Sequence, residues 1–237
     1  MRKQMNLLIT IALLGSMGAT TTQPRHLTDA ETLIENISPQ NNIYEHKGCF
    51  VKWKGEDGAT KYENRSDCSD FLALLVEHSY AVTPQQMKQW TGHTRPYANH
   101  WHDAIISESG FEHITRLTDA KPGDVLAVKF PPGLADTGHV MMIAEEPEKM
   151  TAKAPIVPGT QQWTVNIIDS TKHPHGAGDT RIQSDGSSGT GVGRGTIRIY
   201  TNSTGQVAGY AWSVGSDAKF EAQSDRNMAI GRLTVAK

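Results

Sequence analysis

The chain has 237 residues, with 23 Lys plus Arg against 25 Asp plus Glu and a formal net charge of −2. That length is enough for one sizeable domain with its own core. The balanced charge, with no basic patch and no acidic tail, argues against nucleic acid as a partner and against a disordered chain. A hydrophobic fraction of 37% and 22 glycines indicate a loop-rich globular protein.

The N-terminus reads as a targeting signal. Arg2 and Lys3 are followed by the apolar run "LLITIALL", Leu7 to Leu14, and then by the small residues of "GSMGATTT". This is the layout of a secretory signal peptide, and the run is far shorter than the ~20 apolar residues a membrane span needs. The expectation is a signal peptide over 1–24, then a single domain over 25–237, exported, soluble and without stable membrane insertion.

The elements then follow in chain order. "LTDAETLIENI" predicts a short helix with Thr28 as N-cap. "NNIYEHKGCFVKWKGEDG" mixes β-formers with Gly turns and reads as a hairpin or loop. The spacing of Cys68, Phe71, Leu72, Leu75, Val76 and Ser79 puts them on one face of a helix from Asp67 to about Ser79. Asp67 is its N-cap, and Asp70 resembles the other half of a capping box. "TPQQMKQWTG" predicts a helix after Thr83 with Pro84 at its first position, and "YANHWHDAIISES" a third, closed by Gly110. Strands are expected in "FEHITRL", "DVLAVKF", "HVMMIAEE", "WTVNIIDS", "TIRIY", "GQVAGYAWSV" and "MAIGRLTV". Helices precede an antiparallel sheet, so the class is α+β. The Gly-rich "SDGSSGTGVGRG" precedes a strand and joins no strand to a helix, so it reads as a surface loop near a site and not as a phosphate loop.

Cys68 admits three readings: a buried core thiol, half of a disulfide with Cys49, or a nucleophile. A helix N-terminus stabilises a thiolate through its free N–H groups and dipole. A nucleophile also needs a base that takes the proton and returns it to the leaving group. His139 supplies a candidate at the start of an apolar strand. Asp169, at the end of a neighbouring strand, could hold the far ring nitrogen and stabilise the imidazolium.

With these residues in hand, the chain resembles the NlpC-type and CHAP-type cysteine peptidases and amidases of bacterial cell walls, a papain-like group. "SDCSDF" looks like the family's Asp-Cys-Ser-Gly-Phe helix start. "KPGDVLAVKF" and "TGHVMMI" look like its Pro-Gly-Asp and Gly-His-Val strands, and "IIDST" falls where its third polar residue comes. The resemblance covers about Tyr62 to Thr171. It implies a Cys helix packed on an antiparallel sheet, with Cys68 as nucleophile, His139 as base and Asp169 as orienter. The departures are Asp70 in place of Gly beside the nucleophile, and Tyr62 closer to the Cys than the family's tyrosine.

The residues around the nucleophile, Asp67, Ser69, Asp70 and Tyr62, are expected to border the substrate. Arg181 and Arg194, flanking the Gly-rich stretch, would receive a substrate carboxylate, although solvated loop charges are the plain alternative. The His-x-His pairs His100/His102 and His173/His175 lack the further ligands of a zinc site, so no metal and no other cofactor is expected. The long segment "EPEKMTAKAPIVPGTQQ" and the C-terminal tail are expected to border and narrow the groove. The leading expectation is an exported bacterial thiol hydrolase, periplasmic or extracellular, cutting an amide bond in a peptide or peptidoglycan stem. Its rivals are a non-catalytic cell-wall or peptide-binding module that keeps the fold, and a disulfide-stapled structural protein.

Overall fold

The computed structural model describes residues 23–236; the expected signal peptide lies outside them but for its last two residues. Helix α1 (Arg25–Asn36) opens the chain and buries Leu27, Ala30 and Leu33. Its N-cap is Pro24 and not Thr28, because proline has the backbone angle for a helix start and lacks the N–H that would go unpaired there. The next segment is not a hairpin. Strands β1 (Asn42–Ile43), β2 (Phe50–Lys52) and β3 (Glu63–Arg65) form a small sheet in which β3 lies between β1, parallel to it, and β2, antiparallel.

Helix α2 (Cys68–Tyr80) starts where its cap dictates and stops at Ala81, which takes the left-handed conformation. Helix α3 (Pro84–Thr91) carries a complete capping box between Thr83 and Gln86, and α4 (Ala98–Ile106) follows. The remaining strands are β4 (Phe111–His113), β5 (Val125–Lys129), β6 (Gly138–Ile143), β7 (Glu148–Lys149), β8 (Gln161–Thr171), β9 (Gly191–Thr201), β10 (Val207–Ala211), β11 (Phe220–Ala222) and β12 (Asn227–Leu233). They form one sheet in the order β11-β10-β9-β8-β6-β5-β12-β4, with β7 beside β8. Every pairing in it is antiparallel. Four helices and a large antiparallel sheet make the class α+β.

The strand alternation sorts side chains between two cores. Val125, Ala127 and Val140 pack against Leu72, Val76 and Trp101 of the helices. Met142 and Ile168 meet Phe71 and Leu75. Leu126, Val128, Met141, Ile143, Val165 and Ile167 line a second cluster with Ile197, Ile199 and Ile230. Each large α2 side chain so buried contributes about 1.5–3 kcal/mol, which holds the helix against the sheet and fixes where its first residue sits.

That first residue lies at the end of the sheet where β6 begins and β8 stops. Ser170 Oγ donates to the Ser66 carbonyl at 2.8 Å, tying the end of β8 to the approach to Cys68. Gly138 opens β6 with φ +147°, and a Cβ there would fall 1.8 Å from the Val128 carbonyl oxygen. Only glycine lets the chain turn into His139 at that spacing.

The long segment between β6 and β8 does not border this end. Arg198, fully buried, donates to the carbonyls of Lys153, Ala154, Val214 and Gly215. Arg198 stands opposite Thr164, while Asp169 stands opposite Gly193. Five residues of strand, about 17 Å, therefore separate the pinned segment from Asp169.

Candidate active site

The site is built from the end of α2 upward. Asp67 Oδ1 accepts the Asp70 N–H at 2.8 Å and the Ser69 hydroxyl at 2.9 Å, and its other oxygen lies 3.1 Å from His46 Nδ1. This cap makes Cys68 the first residue of the helix, at the positive end of the dipole. Cys68 is buried, and its sulfur faces the His139 imidazole closely enough to act on its charge. The other face of the His139 ring system is occupied: Nε2 lies 2.6 Å from Asp169 Oδ2. His139 and Asp169 share the parity of Met141 and Ile167, so both side chains leave the sheet on the side away from the helices, and Cys68 meets them at the sheet's end.

Charge governs this chain of contacts. Burial alone would pull the His139 imidazole down, but the facing Cys68 sulfur and the Asp169 carboxylate outweigh it and push it up to about 10. Burial likewise opposes ionisation of Asp169. The charges of His175 and Arg181, with hydrogen bonds from both histidines, win and hold its carboxyl well below the usual range.

Around Asp169 lies a buried polar layer. Arg181 Nη2 donates to Asp169 Oδ1 at 2.5 Å and to its carbonyl at 2.6 Å, and Nη1 donates to Asp179 Oδ2 at 2.8 Å. His175 Nε2 lies 2.9 Å from Asp169 Oδ2, and Nδ1 lies 2.9 Å from the Trp212 carbonyl. The Trp212 ring stacks on His175 at 4.0 Å and meets His139 edge-on at 4.9 Å. The floor beneath is β9. A Cβ on Gly193 would fall 2.9 Å from three atoms of the Arg181 side chain, and one on Gly195 would fall 2.7–2.8 Å from His175 and Asp179. The "GVGRG" run is therefore strand and not surface loop, and its alternate glycines make room for the polar layer.

His139, Asp169 and His175 present three possible metal-ligand atoms within 4.8 Å of one another. Zinc bonds of 2.0–2.1 Å in a tetrahedron would space ligand atoms about 3.3 Å apart. Separations of 2.6 and 2.9 Å are instead those of hydrogen bonds, so the three residues form a proton-sharing network.

The structure brings Cys68, His139 and Asp169 together. The other expected site residues serve differently. Asp67 and Ser69 are buried in the helix cap, and Tyr62 packs against an apolar cluster. Asp70 pairs with Arg95 at 3.3 Å. Asp70 acts on Cys49: burial, then Asp70, pushes the Cys49 thiol up to about 12. Arg181 does not reach out toward a substrate, because two buried carboxylates hold its guanidinium inside. Arg194 leaves β9 on the opposite face, where it pairs with Glu31 and with Glu145, the latter at 3.1 Å. There it lines an open cleft of about 670 Å³ with His26, Lys121, Asp124 and Arg232, which none of the three site residues touches. Both cysteines are free, so no disulfide joins Cys49 to Cys68.

Sequence reasoning missed three participants. His175 and Asp179 complete the layer. Tyr44 lies within electrostatic reach of Cys68, Asp67, Asp136 and Asp169; burial first, then these charges, raises its phenol so that it stays an O–H donor. The His-x-His pairs do not converge: His173 is exposed where His175 is buried, and His102 is buried while His100 stacks on His93 at 3.8 Å.

The fold and site thus define an α+β protein with a helix-start cysteine coupled to a buried His-Asp-His-Arg network. The chain is 35% identical over 225 residues to "Uncharacterized protein R653" of Acanthamoeba polyphaga mimivirus, covering 90% of this chain and 98% of the viral one, and it belongs to the family of that protein. No family model matches the chain, and no solved structure matches it. The viral relative overturns the expectation of an exported bacterial protein in the periplasm or outside the cell, since it comes from a giant virus of amoebae. That expectation rested on an N-terminal composition that lies outside the described residues, and on cell-wall enzymes known from bacteria. Among the described residues no helix is long and apolar enough to cross a membrane.

Proposed function

We propose that the protein is a thiol hydrolase that cuts an amide bond in a peptide or a peptide stem of peptidoglycan, with Cys68 as nucleophile. The observation that carries this reading is His139, held between the Cys68 sulfur on one side and the buried Asp169 carboxylate on the other. Further support comes from the order of elements, a capped Cys helix followed by antiparallel strands bearing His and then Asp, which is the papain-like outline.

In this reading His139 takes the thiol proton and the thiolate attacks the carbonyl carbon. The oxyanion is met by the Cys68 backbone N–H at the helix start, with the Tyr44 hydroxyl as the candidate second donor. His139 then delivers its proton to the leaving amine, and a thioester forms. Water, giving its proton to His139, hydrolyses the thioester and restores the thiol. Asp169 stays ionised throughout and fixes the ring.

The test is release of free amine from a mixed peptide pool and from soluble muropeptides, with Cys68→Ala as blank. Release that needs both Cys68 and His139 is the expected result. A correctly folded protein that releases no amine from either pool but binds them would replace this reading with that of a non-catalytic binding module.

A further inference from the structure

The triad needs Cys68, His139 and Asp169, yet Asp169 carries a second histidine that no step uses. His175 sits near the start of the β8–β9 connection and is fully buried at its side chain. Both of its ring nitrogens face acceptors. Nδ1 meets the Trp212 carbonyl at 2.9 Å and Nε2 meets Asp169 Oδ2 at 2.9 Å. Neither partner has a proton to give: a peptide carbonyl has none, and Asp169 is an ionised carboxylate that already accepts from Arg181 and His139. Only a ring with a proton on each nitrogen makes both bonds.

The charge of the layer agrees. With the His139 imidazolium set against the Cys68 sulfur that faces it, the layer behind them holds two buried anions, Asp169 and Asp179, and one buried cation, Arg181. A neutral His175 would leave one uncompensated negative charge where side-chain exposure is 0–1%, which a low-dielectric interior penalises strongly. A charged His175 brings the layer to neutrality. The groups facing it are Asp169 from β8, Asp179 and Arg181 from its own connection, and His139 from β6. From β9 comes Gly195, and beyond β10 the uncharged Trp212.

We propose that His175 is a positioning residue, held as the doubly protonated imidazolium, which locks the Asp169 carboxylate and by its charge keeps His139 able to release a proton. The proposal rests on the thiol-hydrolase reading. With the layer neutral, Asp169 orients His139 without the pull of a surplus negative charge. Without the His175 charge, the layer would hold the His139 proton more tightly, and His139 would be a poorer acid toward a leaving amine.

Two measurements test this on the full chain. Nitrogen-15 NMR of the His175 ring at pH 7 is expected to show both nitrogens protonated; one unprotonated ring nitrogen overturns the proposal, with no variant needed. The second is the pH dependence of Cys68 alkylation by iodoacetamide in wild type and His175→Gln. At the 6.5 Å between the two rings, losing a positive charge raises the upper inflection, set by His139, by about one to two pH units. A folded His175→Gln whose upper inflection is unmoved, or moves down, overturns the charge role. A wild-type profile with one ordinary thiol step takes down the hydrolase reading itself, and is distinguishable from an unmoved inflection.

Discussion

Gly193 of β9 stands directly opposite Asp169 of β8, and the space its missing side chain leaves is filled by the Arg181 guanidinium that neutralises that aspartate. Gly193→Ala forces Arg181 off both carboxylates or bends the strand. Overpacking of this kind costs about 1–3 kcal/mol. The expected outcome is a lower urea midpoint. An unchanged midpoint would mean that Arg181 moves freely, against its placement here.

Arg181→Met removes the cation from between two buried anions. Breaking a buried pair by deleting one partner destabilises by about 3–5 kcal/mol, because the remaining charge is left without compensation. Equilibrium urea unfolding measures it. The same substitution combined with Asp179→Asn is expected to recover part of the loss, since one surplus anion is then gone.

How much of this was legible in the sequence follows from which forces act locally. The start of α2 was legible because Asp67, Asp70 and the apolar spacing all sit within one short segment. The same holds for the Thr83 capping box and for β5 and β6, whose apolar residues run almost unbroken through the strand. The Cys68, His139 and Asp169 candidates come from strand and helix ends, and the fold places them at one end of the sheet. The polar layer was not legible, because its sign is a run of alternate glycines. Gly191, Gly193 and Gly195 have the period of two that marks a strand face, but glycine is disfavoured in strands and reads as loop. Arg181 reads as a cleft group for a substrate carboxylate and His175 as half of an incomplete His-x-His pair, since charged side chains are rarely buried without a partner. Those partners, Asp169 and Asp179, are assigned only by the fold.

The raised His139 imidazole sets a stability window on the alkaline side. A group pushed up to about 10 from an ordinary value near ~6.5 contributes stability that is fully present below the lower value. That contribution is lost as pH rises through the upper one. Urea midpoints are expected to fall between about pH 6.5 and 10. Cys68→Ser, which takes away the facing sulfur charge, is expected to make that fall shallower. On the acid side the sign reverses: depressed Asp169 stabilises above about pH 4 and ceases to do so as pH falls through its folded-state value.

The two thiols are expected to differ in reactivity. Cys49 is pushed up to about 12 by burial and by Asp70, so it remains a thiol at neutral pH and reacts slowly, since the thiolate is the nucleophile. Limiting iodoacetamide followed by mass spectrometry is expected to label Cys68 first. Asp70→Asn removes the neighbouring charge and is expected to bring Cys49 labelling up. Preferential labelling of Cys49 in the unaltered protein would reverse the assignment.

The coupling of Cys68 to His139 is tested most directly by the alkylation rate of Cys68 from pH 4 to pH 10, compared between the unaltered protein and His139→Ala. A thiolate held by an imidazolium stays reactive well below the ~8.5 of a free thiol. The expected result is a Cys68 rate profile that His139→Ala lowers and changes in shape, since the imidazole facing the sulfur is then gone. A wild-type rate that falls about tenfold for each pH unit below ~8.5, and is indifferent to His139, would contradict it.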